Sequence, residues 1–302
     1  MGSDQTAPPR TQRRRAVIVH RRTELDALMD RHVTRGQVEF FLASRGRTLA
    51  DVQARHDRVT QTRRAVVAGV GDDWVVGQVE RSDLASYLFA PEDTIVVVGS
   101  DGLVANVAKY LAGQLVIGID PSPEENPGVL VRHGVTAGLS LLRDPSRANV
   151  AELTMVAATT DDGARLTALN EIYVGHETHQ SARYVLRVPE GEERQSSSGV
   201  IVGSGAGATG WCASLAHDRG LAGLPALTET ALAWFVREAW PSPLTGVSLT
   251  SGRLDPGATI GLRVESDELV VFGDGIESDR LRVSWGQVVT VAPSAVPLRL
   301  AL

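Results

Sequence analysis

Residues 94–120 read TIVVVGSDGLVANVAKYLAGQLVIGID. TIVVV at 94–98 and QLVIGI at 114–119 are aliphatic and β-branched with no polar alternation, which marks strands buried on both faces. Between them, GLVANVAKYLAG at 102–113 has the composition of a helix stopped by glycine. Strand, helix and second buried strand make a parallel βαβ unit. Outward from it, AVIV at 16–19 and WVVGQVE at 74–80 supply further strands. Helices are predicted for ELDALMDRH capped by Thr23, for GQVEFFLASRG ending at Gly46, for a stretch opening at Thr48 with Asp51 three residues on, and for SDLASYLF. The alternation predicts an open, mostly parallel α/β sheet over residues 16–143.

The second half changes character. ELTMVAATT and ARLTALNEIYVG flank Asp161-Asp162-Gly163, a hairpin signal that makes the two aspartates a turn. ARYVLRV at 182–188 and SSSGVIVGSG at 196–205 follow as strands. VSLTS, ATIGLRVES, ELVVFG, RLRVSW and QVVTVAP succeed one another between glycine, proline and aspartate. A predominantly antiparallel β domain is predicted over 144–302. Two helices attach to it, ATGWCASLAHD and TETALAWFVREAW at 228–240, with Trp234, Phe235 and Trp240 in core or at an interface. Residues 1–15, MGSDQTAPPRTQRRR, read as a disordered tail.

Composition narrows the function classes. A length of 302 residues with 43% hydrophobic and 22% charged residues suits a two-domain globular protein. A net charge of −6 argues against nucleic-acid binding. Lys and Arg total 30, yet Lys109 is the one lysine, and it lies outside any P-loop or protein-kinase strand context. Phosphate chemistry here must therefore rest on Mg²⁺, backbone N–H groups and arginine. Cys212, the single cysteine, permits no intramolecular disulfide and no thiolate cluster, and reads as a buried small residue. No apolar run is long enough for a membrane span and no leader pattern opens the chain, so the cytoplasm is the expected location, with no membrane partner. His176 and His179 have no third ligand in view and read as a solvated loop; no metal site is predicted in protein side chains.

Three motifs can carry chemistry. Gly99-Ser100-Asp101-Gly102 follows the buried strand and precedes a helix, at the strand end where open α/β sheets bind ligands. Flanking glycines admit a phosphate, and a carboxylate there serves as a base or organises a metal. The same four residues also suit a plain turn with Asp101 as a helix cap. Leu169-Asn170-Glu171 puts two polar residues in an apolar strand, which a ribose diol or adenine edge would satisfy, as would a solvated strand end. Ser204-Gly205-Ala206-Gly207-Ala208-Thr209-Gly210-Trp211 is a loop allowing close backbone approach, with a hydroxyl and a stacking ring, or a structural turn.

This ordered set, G-[GS]-D-G, then L-N-E, then G-x-G-x-T-[AG]-[YW], resembles the NAD kinase family. The likeness is nearest to its mitochondrial branch through TELDALM, FFLASRGRTL, ARHDRV, IGIDPSPEENPG, LNEIYVG and QSSSGVIVGSGAGATGW. It covers residues 16–215 well and the C-terminal strands loosely. The resemblance implies phosphoryl transfer from ATP, or another donor, to the 2′-hydroxyl of the adenosine ribose of NAD(H), giving NADP(H), with Mg²⁺ accompanying the donor. It implies that Asp101 is the catalytic base and that Gly99, Ser100 and Gly102 form the phosphate-side loop. Asn170 and Glu171 would bind the nucleotide, as would Ser198, Gly205, Gly207, Thr209, Gly210, Trp211, Ser214 and Asp274. A homodimer or homotetramer would follow from family habit. Ser100 stands where the family usually has glycine, Leu103 where it has threonine and Asp120 where it has asparagine, and GAGATG lacks the usual threonines. Those departures keep open a kinase of another nucleoside-like or specialised-metabolite hydroxyl; a catalytically weak NAD(P)-binding regulator is a rival of a different class, against which the retention of Asp101 beside Asn170-Glu171 counts.

Overall fold

The computed structural model describes residues 13–124 and 128–302. Most of the expected N-terminal tail, residues 1–12, lies outside that range. The strands are β1 (Arg15–His20), β2 (Val75–Glu80), β3 (Thr94–Val98), β4 (Leu115–Ile119), β5 (Val150–Leu153), β6 (Val156–Thr160), β7 (Arg165–Ala168), β8 (Glu171–Gly175) and β9 (Ala182–Val188). They continue as β10 (Gly191–Ser197), β11 (Val200–Gly203), β12 (Leu232–Val236), β13 (Ser251–Leu254), β14 (Ile260–Val264), β15 (Glu268–Gly273), β16 (Leu281–Ser284), β17 (Val288–Pro293) and β18 (Leu298–Ala301). Helices are α1 (Glu24–His32), α2 (Arg35–Ala43), α3 (Leu49–Gly69), α4 (Asp101–Ala108), α5 (Val135–Arg143) and α6 (Trp211–Asp218).

The expected α/β region is present, and its sheet is mixed but mostly parallel, in the order β2-β1-β3-β4-β18-β5. Val17 pairs with Ile95 and Val96 with Ile117 in the parallel core. Strands β1, β3 and β4 hold side chains such as Ile18, Ile95 and Ile117 fully out of water, as continuous apolar runs require. Three threonines start the helices beside the sheet. Thr23 forms a reciprocal capping box with Asp26, and Thr34 and Thr48 accept from the N–H groups of Gln37 and Asp51. Each such cap contributes about 1 kcal/mol. SDLASYLF, expected as a helix, makes only a 3-10 turn over Arg81–Ser86.

The later region is antiparallel and β-rich, as expected. It forms two six-stranded sheets, β10-β9-β14-β17-β6-β7 and β13-β12-β11-β8-β15-β16. Their facing sides share one core, including Tyr184, Leu262, Trp234 and Val271. Asp161-Asp162-Gly163 turns β6 into β7, with Gly163 at φ +90°.

Three expectations need correction. Arg15 belongs to β1 rather than to a tail, because its guanidinium grips Asp93 at 2.7 Å and extends the strand by one residue. Residues 228–240 are not helical: LAWFV is strand β12, flanked by β11 and β13. Trp234 faces the core between the sheets, Phe235 faces α6 on the other side, and Trp240 is exposed. A strand buried on both faces shows no two-residue period, so aromatic spacing imitates a helix face. Finally, residues 144–302 do not all belong with the β-rich sheets. β5 and β18 complete the first sheet, with β18 inserted parallel to β4 and antiparallel to β5.

Candidate active site

The site forms where the ends of the first sheet meet loops of the β-rich region. Gly99 and Ser100 leave β3 and Asp101 opens α4. The Asp101 carboxylate does not project freely. Oδ2 accepts the backbone N–H of Val129 at 2.7 Å, and Oδ1 accepts those of Leu130 and Val131 at 2.9 Å each. Segment 129–131 can lie this close because β4 has glycine at 118, where a Cβ would sit 2.4 Å from the Leu130 carbonyl oxygen. Asp101 is therefore both a loop anchor and a carboxylate with lone-pair capacity left on Oδ2.

The opposing wall comes from the β7–β8 and β11–α6 connections. Leu169 and Ala206 bury their side chains in the core of the first sheet alongside Leu103 and Leu130, and the half-buried Leu227 packs against them. This apolar plug brings Asn170 and Glu171 towards α4. Asp274, in the turn after β15, accepts the backbone N–H groups of Leu169 at 2.9 Å and Asn170 at 2.7 Å. Ser204 donates its hydroxyl to the Leu169 carbonyl, and its N–H meets the Asn170 carbonyl at 2.8 Å. Gly207 passes so close that a Cβ would stand 2.3 Å from the Asn170 carbonyl oxygen. Lys109, its side chain buried, pairs with Asp279 and ties α4 to the β15–β16 turn.

The result is one small pocket of ≈ 220 Å³ lined by Asp101, Gly102, Val129, Leu130, Asn170, Glu171, Ala206, Gly207, Thr209, Gly210, Trp211 and Leu227. Seven candidate residues besides Asp101 thus share a pocket with it: Gly102, Asn170, Glu171, Gly207, Thr209, Gly210 and Trp211. The Trp211 indole stacks on Tyr173 at 6.1 Å and 15°, with the Arg237 guanidinium over it. A larger cleft of ≈ 730 Å³ opens on the other side of Asp101 and holds Gly99, Ser100 and Asp120. Asp101, Gly102, Val129 and Thr209 border both spaces. A depression of ≈ 700 Å³ around Val33 and Phe40 contains none of the candidate residues.

Four candidates do not line these spaces. Asp274 is buried behind Asn170 with both oxygens on backbone N–H groups, so it positions rather than contacts a ligand. Gly205 is buried against the backbone of Ala226. Ser198 sits at the β10–β11 turn, its carbonyl bound by the Tyr173 hydroxyl at 3.0 Å, and Ser214 is exposed on α6. Their motif neighbours face the pocket, but each of these residues points elsewhere or serves the backbone.

Burial shapes the electrostatics. It pushes the Glu171 carboxyl up to about 7, and the charge of Asp274 adds to the rise. Burial also raises Asp274 to about 6, against the opposing pull of its N–H donors and of Lys109. Both carboxyls therefore hold their protons more tightly than they would in water. Burial pushes the Cys212 thiol up to about 12, consistent with a packed, unreactive side chain.

Sequence reasoning missed the far wall of the larger cleft: Arg21, Arg22, Thr23, Glu24, Arg55, His56 and Ser122. A signal existed, since Arg21-Arg22-Thr23 follows β1 directly, at the same carboxyl edge of the sheet as Gly99-Ser100. Among the described residues, no group of three or more His, Cys, Asp or Glu is arranged to hold a metal ion, and no helix is long and apolar enough to cross a membrane. Compared with known proteins, the chain matches no family model and no curated sequence.

Proposed function

We propose that this protein is a phosphotransferase that passes a phosphoryl group to a hydroxyl of a nucleotide acceptor, and that the acceptor is NAD(H), phosphorylated on the adenosine ribose. The observation that carries the reading is the shared pocket. Asp101, Asn170-Glu171 and Gly207–Trp211 come from three distant stretches of chain and border one space of ≈ 220 Å³. That is where a nucleoside would sit, with an indole and a glycine-walled floor for the base and polar groups for the ribose.

In the reaction, the acceptor hydroxyl oxygen forms a bond to the terminal phosphorus as the bridging P–O bond breaks towards the departing diphosphate. The hydroxyl proton passes to Oδ2 of Asp101, the oxygen with the single backbone bond. Three N–H donors from 129–131 hold that carboxylate in one orientation, so positioning is built before the substrate arrives. General-base help of this kind contributes roughly 10²–10⁴-fold. Asn170 and Glu171 orient the ribose, and the protonated Glu171 carboxyl is itself a donor. The side chains present suit a Mg²⁺ delivered on the donor phosphates, with Asp120 and Asp101 bordering the cleft, better than a site built wholly from protein. Such an ion neutralises charge on the transferring phosphoryl group.

Incubation of the protein with Mg-ATP and a panel of NAD, NADH, nucleosides and adenosine analogues, with products read by mass, tests this. A gain of one phosphoryl group on NAD or NADH supports it. Phosphorylation of a different hydroxyl compound would move the acceptor to the first rival reading. No product with any member of the panel would count against the kinase.

A further inference from the structure

We infer that Lys109 is a positioning residue for the small pocket: by binding Asp279 it fixes the β15–β16 turn, and through that turn the Asn170–Glu171 wall, against the helix that carries Asp101. The inference rests on the phosphotransferase reading above for what the pocket holds, but one arm of its test needs no ligand.

Asp101 and Lys109 stand at opposite ends of one short rod. Helix α4 spans about 12 Å, and its residues from Leu103 to Ala108 are all buried. A helix packed in this way moves as a unit, so whatever holds its carboxyl end also holds Asp101. Bonds from Lys109 and Tyr110 reach into the β-rich region. The Lys109 ammonium pairs with Asp279, the Tyr110 hydroxyl donates to the same carboxylate at 3.3 Å, and the Lys109 carbonyl accepts the Thr167 hydroxyl at 3.4 Å. Thr167 closely precedes Leu169-Asn170 in the chain. Asp279 shares its turn with Asp274, whose carboxylate holds the Leu169 and Asn170 N–H groups. Both stretches that build the wall are thus tied to the far end of α4.

Burial gives this ion pair its hold. The Lys109 side chain is 5% exposed and Asp279 is half-exposed, whereas the arginine of a surface pair such as Arg187–Glu192 is 76% exposed. Exposed pairs fix little. A cation this far out of water is different, because parting it from its carboxylate leaves the charge uncompensated. The chain has 30 basic residues and this is the one lysine, a compact ammonium on an unbranched stem that enters a slot too narrow for a planar guanidinium. The ammonium also lies within electrostatic reach of Asp274, whose carboxyl it draws down. Lys109 therefore backs the wall both through the Asp279 bond and through its charge.

Hydrogen exchange of the backbone amides, followed by NMR, and titration calorimetry on the full chain test the role. Lys109→Met keeps the apolar stem, Asp279→Asn leaves the ammonium without its carboxylate, and Asp279→Glu restores the charge. Asp279 is half-exposed, so its variants should fold even where Lys109→Met does not. In Lys109→Met and Asp279→Asn the Leu169 and Asn170 amides should exchange about tenfold faster and NAD should bind about tenfold more weakly, the scale of one hydrogen bond. Mg-ATP should bind both as it binds the parent, and Asp279→Glu should recover most of the two losses. Variants that melt lower, yet keep parental exchange at 169–170 and parental NAD affinity, overturn the positioning role and leave a pair that only stabilises. Equal weakening of NAD and Mg-ATP overturns it too. Faster exchange that Asp279→Glu reverses, in a protein that phosphorylates no nucleotide acceptor, leaves the clasp standing and sinks the proposed function instead. Phosphorylation of NAD with parental exchange and NAD affinity in both charge-removing variants does the reverse.

Discussion

The carboxylate of Asp274 accepts the backbone N–H of Asn170 at 2.7 Å across 104 positions of sequence. Its other oxygen takes the N–H of Leu169, and its own N–H meets the Glu171 carbonyl at 3.0 Å. Asp274 does this from a left-handed backbone conformation, φ 53°, which aspartate and asparagine tolerate better than other non-glycine residues. The strand end carrying Asn170 and Glu171 is therefore set by a side chain of the neighbouring β15–β16 turn.

Asp274→Ala should leave the two N–H groups without partners in a buried setting, costing about 2–5 kcal/mol. Asp274→Asn keeps one acceptor oxygen for the two donors, so one N–H still faces the amide nitrogen and about half of that cost should remain. Urea denaturation of the two variants measures the difference. Equal losses would mean that the hydrogen bonds are not what Asp274 contributes.

Glu171 makes stability depend on pH in an unusual direction. Burial raises its folded value to about 7 from an ordinary 4.5. Between those limits the folded protein holds a proton that the unfolded chain has released, so stability falls as pH rises through the window. Glu171→Gln removes that fall, so the variant should match the parent near pH 4 and exceed it by on the order of 1–3 kcal/mol at pH 8. Asp274, raised to about 6 from 3.8, leaves a smaller slope of the same sign below pH 6. Melting temperatures across pH 4–8 check this; parallel curves for the two proteins would place Glu171 in water.

Asp101→Asn should remove more than a base. The amide nitrogen cannot accept, so at least one of the three N–H groups at 129–131 faces a donor instead of an oxygen. Expected are loss of phosphotransfer by at least a hundredfold and a destabilisation of about 1–3 kcal/mol. Near-wild-type turnover would remove Asp101 from the mechanism, and unchanged stability would say that the 129–131 segment is held by other contacts.

Leu300 lies fully buried in β18, whose neighbours are β4 and β5. Leu300→Ala should cost about 2–5 kcal/mol, while Val296→Ala, at a position 40% exposed just before the strand, should be nearly neutral. A cost for Leu300→Ala below about 1 kcal/mol would mean that β18 is dispensable to the first sheet.

The sequence by itself determined the α/β alternation of the first half, the threonine-capped starts of α1 and α3 and the hairpin at Asp161–Gly163, and it singled out Gly99–Gly102, Asn170–Glu171 and Gly207–Trp211 as candidate segments. All of these are local signals: a run of β-branched residues, a cap spaced three from its partner, a glycine where the backbone must turn. Only the tertiary structure decided that LAWFV is a strand, that β18 enters the first sheet between β4 and β5, that Asp274 faces backbone and not the pocket, and that Arg21 and Arg55 line the same cleft as Asp101. Each of those depends on a partner tens to hundreds of residues away. Periodicity reports whether a face is buried, but a strand buried on both faces has no period, and no local pattern names the strand or carboxylate that will lie alongside.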